Sequence, residues 1–210
     1  AYEALAYPDN AIARDAAGVA RRDSDGNLIR IPYFDKFGYF RVERDYYDRE
    51  RERTEEGRTY LISRWGIWQD APACKDGDSY ARCKVRPIVY YLSPQFPAAL
   101  EGEAVKVIAQ WNEELKTVVR ALKYGDDRPL SQVEDVMILR GNDYIAGQAR
   151  GQRIGDLRYP FLYYVPEPQA ASPLGYGPSA VDPLSGRIVS ASAYVYGAPL
   201  ESWSTWAADV

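Results

Sequence analysis

Residues 85–125 read VRPIVYYLSPQFPAALEGEAVKVIAQWNEELKTVVRALKYG, and two periodicities meet inside them. Val85–Pro97 is a short β-branched and aromatic run with prolines on both sides, the composition of a strand. From Ala98 to Tyr124, apolar residues fall at Leu100, Ala104, Ile108, Trp111, Leu115, Val118 or Val119, and Leu122. Spacings of three and four put them on one face of a helix. Glu101 and Glu103 in the first turns and Lys123 near the end suit the helix macrodipole, and Gly125 supplies a stop. A strand followed at once by a long amphipathic helix predicts a helix packed on a sheet.

Working outward, 133–141 (VEDVMILRG) and 158–168 (RYPFLYYVPEP) have apolar centres bounded by Gly, Pro or charge and read as further strands of that sheet, joined by the polar, glycine-bearing stretch 141–157. The expected fold class is therefore α+β: a mostly parallel twisted sheet with one long packed helix and an antiparallel edge strand, preceded by a β-rich unit. The domain boundary is drawn at 84/85, giving a β-rich region over 1–84 and the sheet-and-helix part over 85–210. Within the first region, Leu28–Tyr47 reads as two short strands in a hairpin. The balanced charges of Arg41–Arg58 suggest a solvated strand pair or loop, and Thr59–Asp70 reads as another strand. Asp23-Ser24-Asp25-Gly26-Asn27 lacks the ligand spacing of a calcium loop and reads as a turn.

Composition narrows the function classes. The 210 residues, 46% hydrophobic and 27% charged, can bury a real core. With 26 Lys and Arg against 30 Asp and Glu, the net charge of −4 supplies no basic field for nucleic acid. No run of apolar residues reaches membrane-spanning length. The opening AYEALAYPDN has neither an initiator Met nor a leader pattern, so a mature form or an excised piece is expected. Histidine is absent, which removes Ser-His-Asp and Cys-His catalysis and any histidine-bound metal. Cys74 and Cys83 flank the turn former Asp76-Gly77-Asp78, a spacing that favours a local disulfide and an oxidising compartment, with free thiols as the alternative.

Near the end, 174–197 read LGYGPSAVDPLSGRIVSASAYVYG. Gly175, Gly177 and Pro178 predict a sharply turning loop, and Asp182-Pro183-Leu184-Ser185-Gly186 a second turn. A strand begins at Arg187, with Val189, Ala191, Ala193 and Val195 on an apolar face and Ile188, Ser190, Ser192, Tyr194 and Tyr196 on the other. Such a strand suits a sheet edge, either simply solvated or able to take an extended peptide as an added strand.

Taken in order, RPIVYYLSPQFP, the helix containing AQWNEEL, and FLYYVPEPQAASPLGYGPSAVDPLSGRIVSASAYVYG resemble the upper part of the catalytic domain of metzincin zinc metallopeptidases. The likeness is greatest to large bacterial secreted or envelope-associated members, and it covers roughly residues 86–197. The family's GP…DP.TG.I..A segment matches Gly177-Pro178, Asp182-Pro183, Ser185-Gly186, Ile188 and Ala191. The resemblance implies that the following strand is the edge strand over the cleft. Val189, Ser190, Ala191, Ser192, Ala193 and Tyr194 would then pair with a peptide or protein substrate, and Gly175, Gly177, Pro178, Asp182, Pro183 and Gly186 would shape the rim.

The family's zinc helix, H-E-x-x-H-x-x-G-x-x-H, has no counterpart in a chain without histidine. The reading is then the N-terminal portion of a longer zinc metalloendopeptidase, cut ahead of its zinc site. Zinc is expected in the full-length protein and none in this segment, with the remaining C-terminal part as a partner and a secreted or cell-envelope location. Leu200, Trp203, Trp206 and Val210 would be the apolar stripe of a helix just begun. A non-catalytic envelope binding or scaffold module is the competing reading. A carboxylate-only hydrolase using Glu134, Asp135 or Asp182 is a third, although turn and strand placements suit those residues to structural roles. A cysteine-ligated latent zinc is disfavoured by the two-cysteine loop.

Overall fold

The computed structural model describes residues 6–7, 11–31, 40–45, 58–69, 73–77, 79–125, 127–142, 151–169 and 173–208. The contacts of the chain divide it into two units, one made of Trp65–Ala180 with Val189–Val210 and the other of Tyr2–Arg64 with Val181–Ile188. In chain order the strands are β1 (Ala6–Tyr7), β2 (Ala11–Ile12), β3 (Arg30–Ile31), β4 (Arg41–Asp45), β5 (Arg58–Ile62), β6 (Trp68–Gln69), β7 (Lys84–Val85), β8 (Ile88–Leu92), β9 (Met137–Arg140), β10 (Phe161–Val165), β11 (Gly175–Tyr176), β12 (Ser179–Val181), β13 (Ile188–Ala191) and β14 (Ala193–Tyr196). The helices are α1 (Ala98–Val119) and α2 (Gly197–Ala208).

The fold class is the expected mixed α and β architecture. A five-stranded sheet runs in the order β11-β14-β10-β8-β9. Its β9, β8, β10 and β14 are parallel neighbours, and only β11 runs antiparallel, at one edge. α1 makes the crossover between the parallel strands β8 and β9, the connection such a pair requires. It opens directly after Pro97, continues into a π-helical turn over Arg120–Tyr124, and stops at Gly125 with φ 74°. Ala104, Ile108 and Val119 of the stripe are buried, whereas Trp111, Val118 and Leu122 stay exposed.

Val119, Val133 and Val136 form the buried hub of this unit, with Trp68, Val85 and Leu115 among the partly buried side chains packed on it. Val133 and Val136 lie ahead of β9, so the apolar centre read as strand over 133–141 divides between hub and strand. Asn112 secures the junction: its Oδ1 accepts the Val136 and Met137 N–H groups at 2.8 and 3.0 Å, and its Nδ2 donates to Asp135 at 2.8 Å. Thr59–Asp70 forms two strands, β5 and β6, where one was expected. β6 pairs with β7, and between them Cys74 and Cys83 form a disulfide with Cα atoms 5.0 Å apart. Tyr80 in that loop stacks on Trp68 at 4.7 Å and donates its N–H to Leu122 O.

The strand expected from Arg187 is two strands. β13 pairs with β12, while β14 lies inside the sheet between β10 and β11. Ser192 separates them and donates its N–H to Pro178 O. The two halves have different partners, and the expected face assignment holds on one half only. Ala193 and Val195 face α1, but on β13 Ser190 is buried at 5% exposure and Val189 is 52% exposed.

In the other unit, β5 pairs with β1 and β4, and β2 with β3. Of the charged segment Arg41–Arg58, expected as a strand pair or a loop, Arg41–Asp45 forms β4, and its partner β5 comes from the strand expected over Thr59–Asp70. Residues 32–39 and 46–57, on which the rest of that charged segment and part of the expected Leu28–Tyr47 hairpin fall, lie outside the described residues. Asp23–Asn27 is a turn, with Asp23 Oδ1 accepting the Asp25 and Asn27 N–H groups. Gly186 belongs to this unit, at φ 71°, where a Cβ would stand 2.3 Å from Ile62 O.

Two stability outcomes follow from these contacts. Replacing Cys74 and Cys83 by Ser should lower the unfolding free energy by about 2–3 kcal/mol, the loop-closure contribution for so short a ring, read by urea denaturation; an unchanged midpoint would contradict it. Gly186→Ala, which combines positive φ with a backbone clash, should cost on the order of 2 kcal/mol or more, whereas Gly141→Ala, with open space around it, should stay within roughly 0.5 kcal/mol.

Candidate functional site

β10 alternates Phe161, Tyr163 and Val165 with Leu162 and Tyr164, so the sheet presents two different faces. On the α1 side, Tyr90, Leu100, Trp111, Leu162, Val195 and Leu200 are among the walls of an apolar cavity of about 430 Å³. On the other side, Phe161, Tyr163 and Tyr194 floor a cleft of about 270 Å³, rimmed by Gly155–Leu157, Tyr159, Pro178–Ala180 and Ser190–Ser192. The aromatic floor is continuous. Tyr91 meets Tyr159 edge-on at 5.6 Å, Phe161 lies 5.5 Å from Tyr163, and Tyr163 stacks on Tyr194 at 4.5 Å with planes 9° apart.

The residues expected to hold a substrate are only partly brought together. Ser190, Ala191, Ser192 and Tyr194 line the cleft with Pro178. Ala193 points into the cavity on the opposite face, and Val189 is exposed. Gly175 and Gly177, expected to turn a loop, are extended: Gly175 is in β11, and a Cβ there would lie 3.1 Å from Tyr194 O. The missing side chain at Gly175 serves close backbone approach to β14, whereas a Cβ at Gly177 would meet nothing closer than 3.9 Å. The chain from Gly175 to Val181 is thus the outer arm of a long hairpin whose inner arm is Ile188–Tyr196.

This arrangement closes the expected peptide-pairing edge at Ala193 and Tyr194, while Val189–Ala191 has one strand neighbour, β12, among the described residues. Ala193–Tyr196 pairs with β10 on one side, and the Gly175–Tyr176 arm covers the other, so its backbone offers no open edge. β11 is the last strand of the sheet, and one side of its backbone has no strand partner among the described residues. The cleft's aromatic floor and Tyr176 escaped the sequence reading, although the Phe161, Tyr163 alternation was a visible signal for a distinct face.

Asp182, Pro183 and Gly186 lie in the hairpin tip. Asp182 accepts the Leu184 N–H at 2.9 Å and the Ser185 hydroxyl at 2.5 Å, and the Ser185 hydrogen bond, followed by that of Leu184, holds its carboxyl below the ordinary range. That is turn chemistry. Asp135 accepts from Asn112 and lies 3.5 Å from the buried Lys116 ammonium. Glu134 accepts from Lys123 and from the Tyr124 hydroxyl, the latter at 2.7 Å. These carboxylates brace α1 against the start of β9, so the carboxylate-only hydrolase finds no pair facing a common space.

Among the described residues lining the cleft, two have shifted acidities. Side-chain and backbone hydrogen bonds from Arg158 hold Asp156 at about 2, and burial, then the neighbouring Tyr194, raises Tyr163 above 10.0. Among the described residues no three His, Cys, Asp or Glu side chains converge as a metal site, and both cysteines are in the disulfide. The described residues do not assemble a zinc centre. Nor is any helix among the described residues long and apolar enough to cross a membrane. No family model, curated protein or solved structure matches the chain.

The Lys123–Glu134 pair sets a pH dependence. Burial opposes both charges, but hydrogen bonding outweighs it: the side-chain bonds with Lys123 and Tyr124 hold Glu134 below 4.5, and those with Glu134 and Tyr124 raise Lys123 above 10.5. Glu134 therefore contributes stability that is complete above pH 4.5 and lost as pH falls through its lowered value. Lys123 contributes stability that is complete below pH 10.5 and lost as pH rises through its raised value. Glu134→Gln should lower stability at pH 7 by about 1 kcal/mol, and the difference from the unsubstituted chain should shrink on acidification. Denaturant midpoints across pH check this, and a pH-independent difference would contradict it.

Proposed function

We propose that this chain is the N-terminal portion of a zinc-dependent metalloendopeptidase of metzincin type, and that its own part in the reaction is to hold an extended peptide. The observation that carries the reading is the antiparallel edge strand β11, one side of whose backbone has no strand partner among the described residues, beside an otherwise parallel sheet backed by one long helix. A peptide adding to such an edge is held by main-chain hydrogen bonds, which accept many sequences, while its alternate side chains meet the protein surface. The strand, long helix, strand and hairpin occur in the chain order of the metzincin upper subdomain, and this supports the family resemblance.

The pairing backbone is reassigned from Val189–Tyr194 to the outer arm beginning at Gly175. Val189–Tyr194 contributes instead as the inner arm that fixes the edge, with Ser190, Ala191, Ser192 and Tyr194 lining the neighbouring cleft. Zinc and the attack of its activated water on a peptide carbonyl belong to sequence other than these residues, because the chain has no histidine. The disulfide supports an oxidising location, secreted or in the cell envelope. The second reading, a non-catalytic binding module, is favoured by the same edge together with the mainly aromatic and small side chains that line the cleft among the described residues.

Peptide binding and hydrolysis separate these readings. The 210-residue chain should bind extended peptides and cleave none, with or without added zinc, and N-methylation along one edge of the peptide backbone should abolish binding. The product of the complete reading frame should cleave them in a chelator-sensitive way. Binding without any hydrolysis by that product would favour the module, and zinc-dependent cleavage by the 210 residues alone would contradict the proposal.

A further inference from the structure

Tyr163 on β10, Tyr194 on β14 and Tyr176 on β11 are in register: Tyr163 pairs with Tyr194, and Tyr194 with Tyr176. Their rings form a ladder across the three strands, with centroids 4.5 Å apart and planes at 9° for the first pair, and 6.3 Å and 29° for the second. The ladder runs toward the sheet edge and stops there. Tyr176 is 59% exposed, on the last strand of the sheet. Its neighbour Gly175, which falls on the opposite face by alternation, has no side chain to offer a partner.

We infer that the peptide added at β11 is selected by an aromatic side chain opposite Tyr176, which becomes the next rung of this ladder. The inference rests on the proposed pairing of a peptide with β11 and adds the preference that such pairing carries. A strand added to the sheet lies about 4.8 Å from β11, close to the spacing that already stacks Tyr163 on Tyr194. Directly opposed aromatic residues on neighbouring strands attract one another beyond their area of contact. The residue on either side of the aromatic one points to the Gly175 face, where any side chain is tolerated. The preferred ligand is therefore an extended peptide with one Tyr, Phe or Trp and loose requirements at the adjacent positions.

The test uses fluorescein-labelled, β-prone hexapeptides in which Tyr, Phe, Leu or Ala is placed at each position in turn, with binding to the 210-residue chain followed by anisotropy. The aromatic peptides should bind roughly 3- to 10-fold more tightly than their Ala counterparts. Tyr176→Phe should keep that ratio and Tyr176→Ala should bring it close to one. Tyr176→Leu, which retains bulk on the edge, should also lower the ratio and serves if the Ala variant fails to fold. Peptides that bind with no aromatic preference, or with one unchanged in Tyr176→Ala and Tyr176→Leu, overturn the inference and leave the peptide-pairing edge standing. Failure of every peptide to bind overturns both.

Discussion

The two-sided pairing of β14 is the constraint on which the site depends. Ala193–Tyr196 lies parallel to β10 and antiparallel to Gly175–Tyr176, so its main-chain groups are committed to the protein itself. The antiparallel neighbour can approach because Gly175 brings no Cβ against Tyr194 O, where the separation would be 3.1 Å. Once β11 sits there, it becomes the sheet edge, and the tyrosines of β10, β14 and β11 fall into line. The cleft, the open edge and the exposed ring of Tyr176 all follow from that one placement.

A second constraint lies at the far end of α1. Asn112 takes two backbone N–H groups at the start of β9, and Val136, one of their owners, is fully buried. A buried amide without an acceptor costs about 1–3 kcal/mol, so one half-buried side chain fixes where the helix meets the strand. Around it Lys116, Lys123, Glu134 and Asp135 form ion pairs that hold the same junction. Those carboxylates are occupied with the fold, and none of them lines the cleft.

How far these features could be read in advance depended on whether their signal was local. The helix over Ala98–Tyr124 was legible because its stripe and its Gly125 stop sit within one segment, and the disulfide because Cys74 and Cys83 flank a turn. The parallel core strands β8, β9 and β10 were legible as apolar runs. The hairpin was not, since Gly175, Gly177 and Pro178 have turn composition and their extended conformation is set by the partner strand across from them. The alternation of Val189–Tyr196 was misread ahead of Ser192, because the pattern does not show that β13 leaves the five-stranded sheet to pair with β12, where Ser190 is buried and Val189 exposed. The tyrosine ladder needs three distant segments in register, and nothing local in Tyr163, Tyr176 or Tyr194 announces that.

Native-state hydrogen exchange tests the central placement most directly. If β14 is an interior strand covered by the Gly175–Tyr176 arm, the Ala193–Tyr196 amides should exchange only on opening of the sheet, as slowly as those of Leu162–Val165 in β10. The β11 amide that points away from β14 should exchange at a rate near that of the exposed Gly155–Leu157 loop. Rapid exchange throughout Ala193–Tyr196, with protection of both β11 amides, would contradict the account and return the open edge to the strand that follows Arg187.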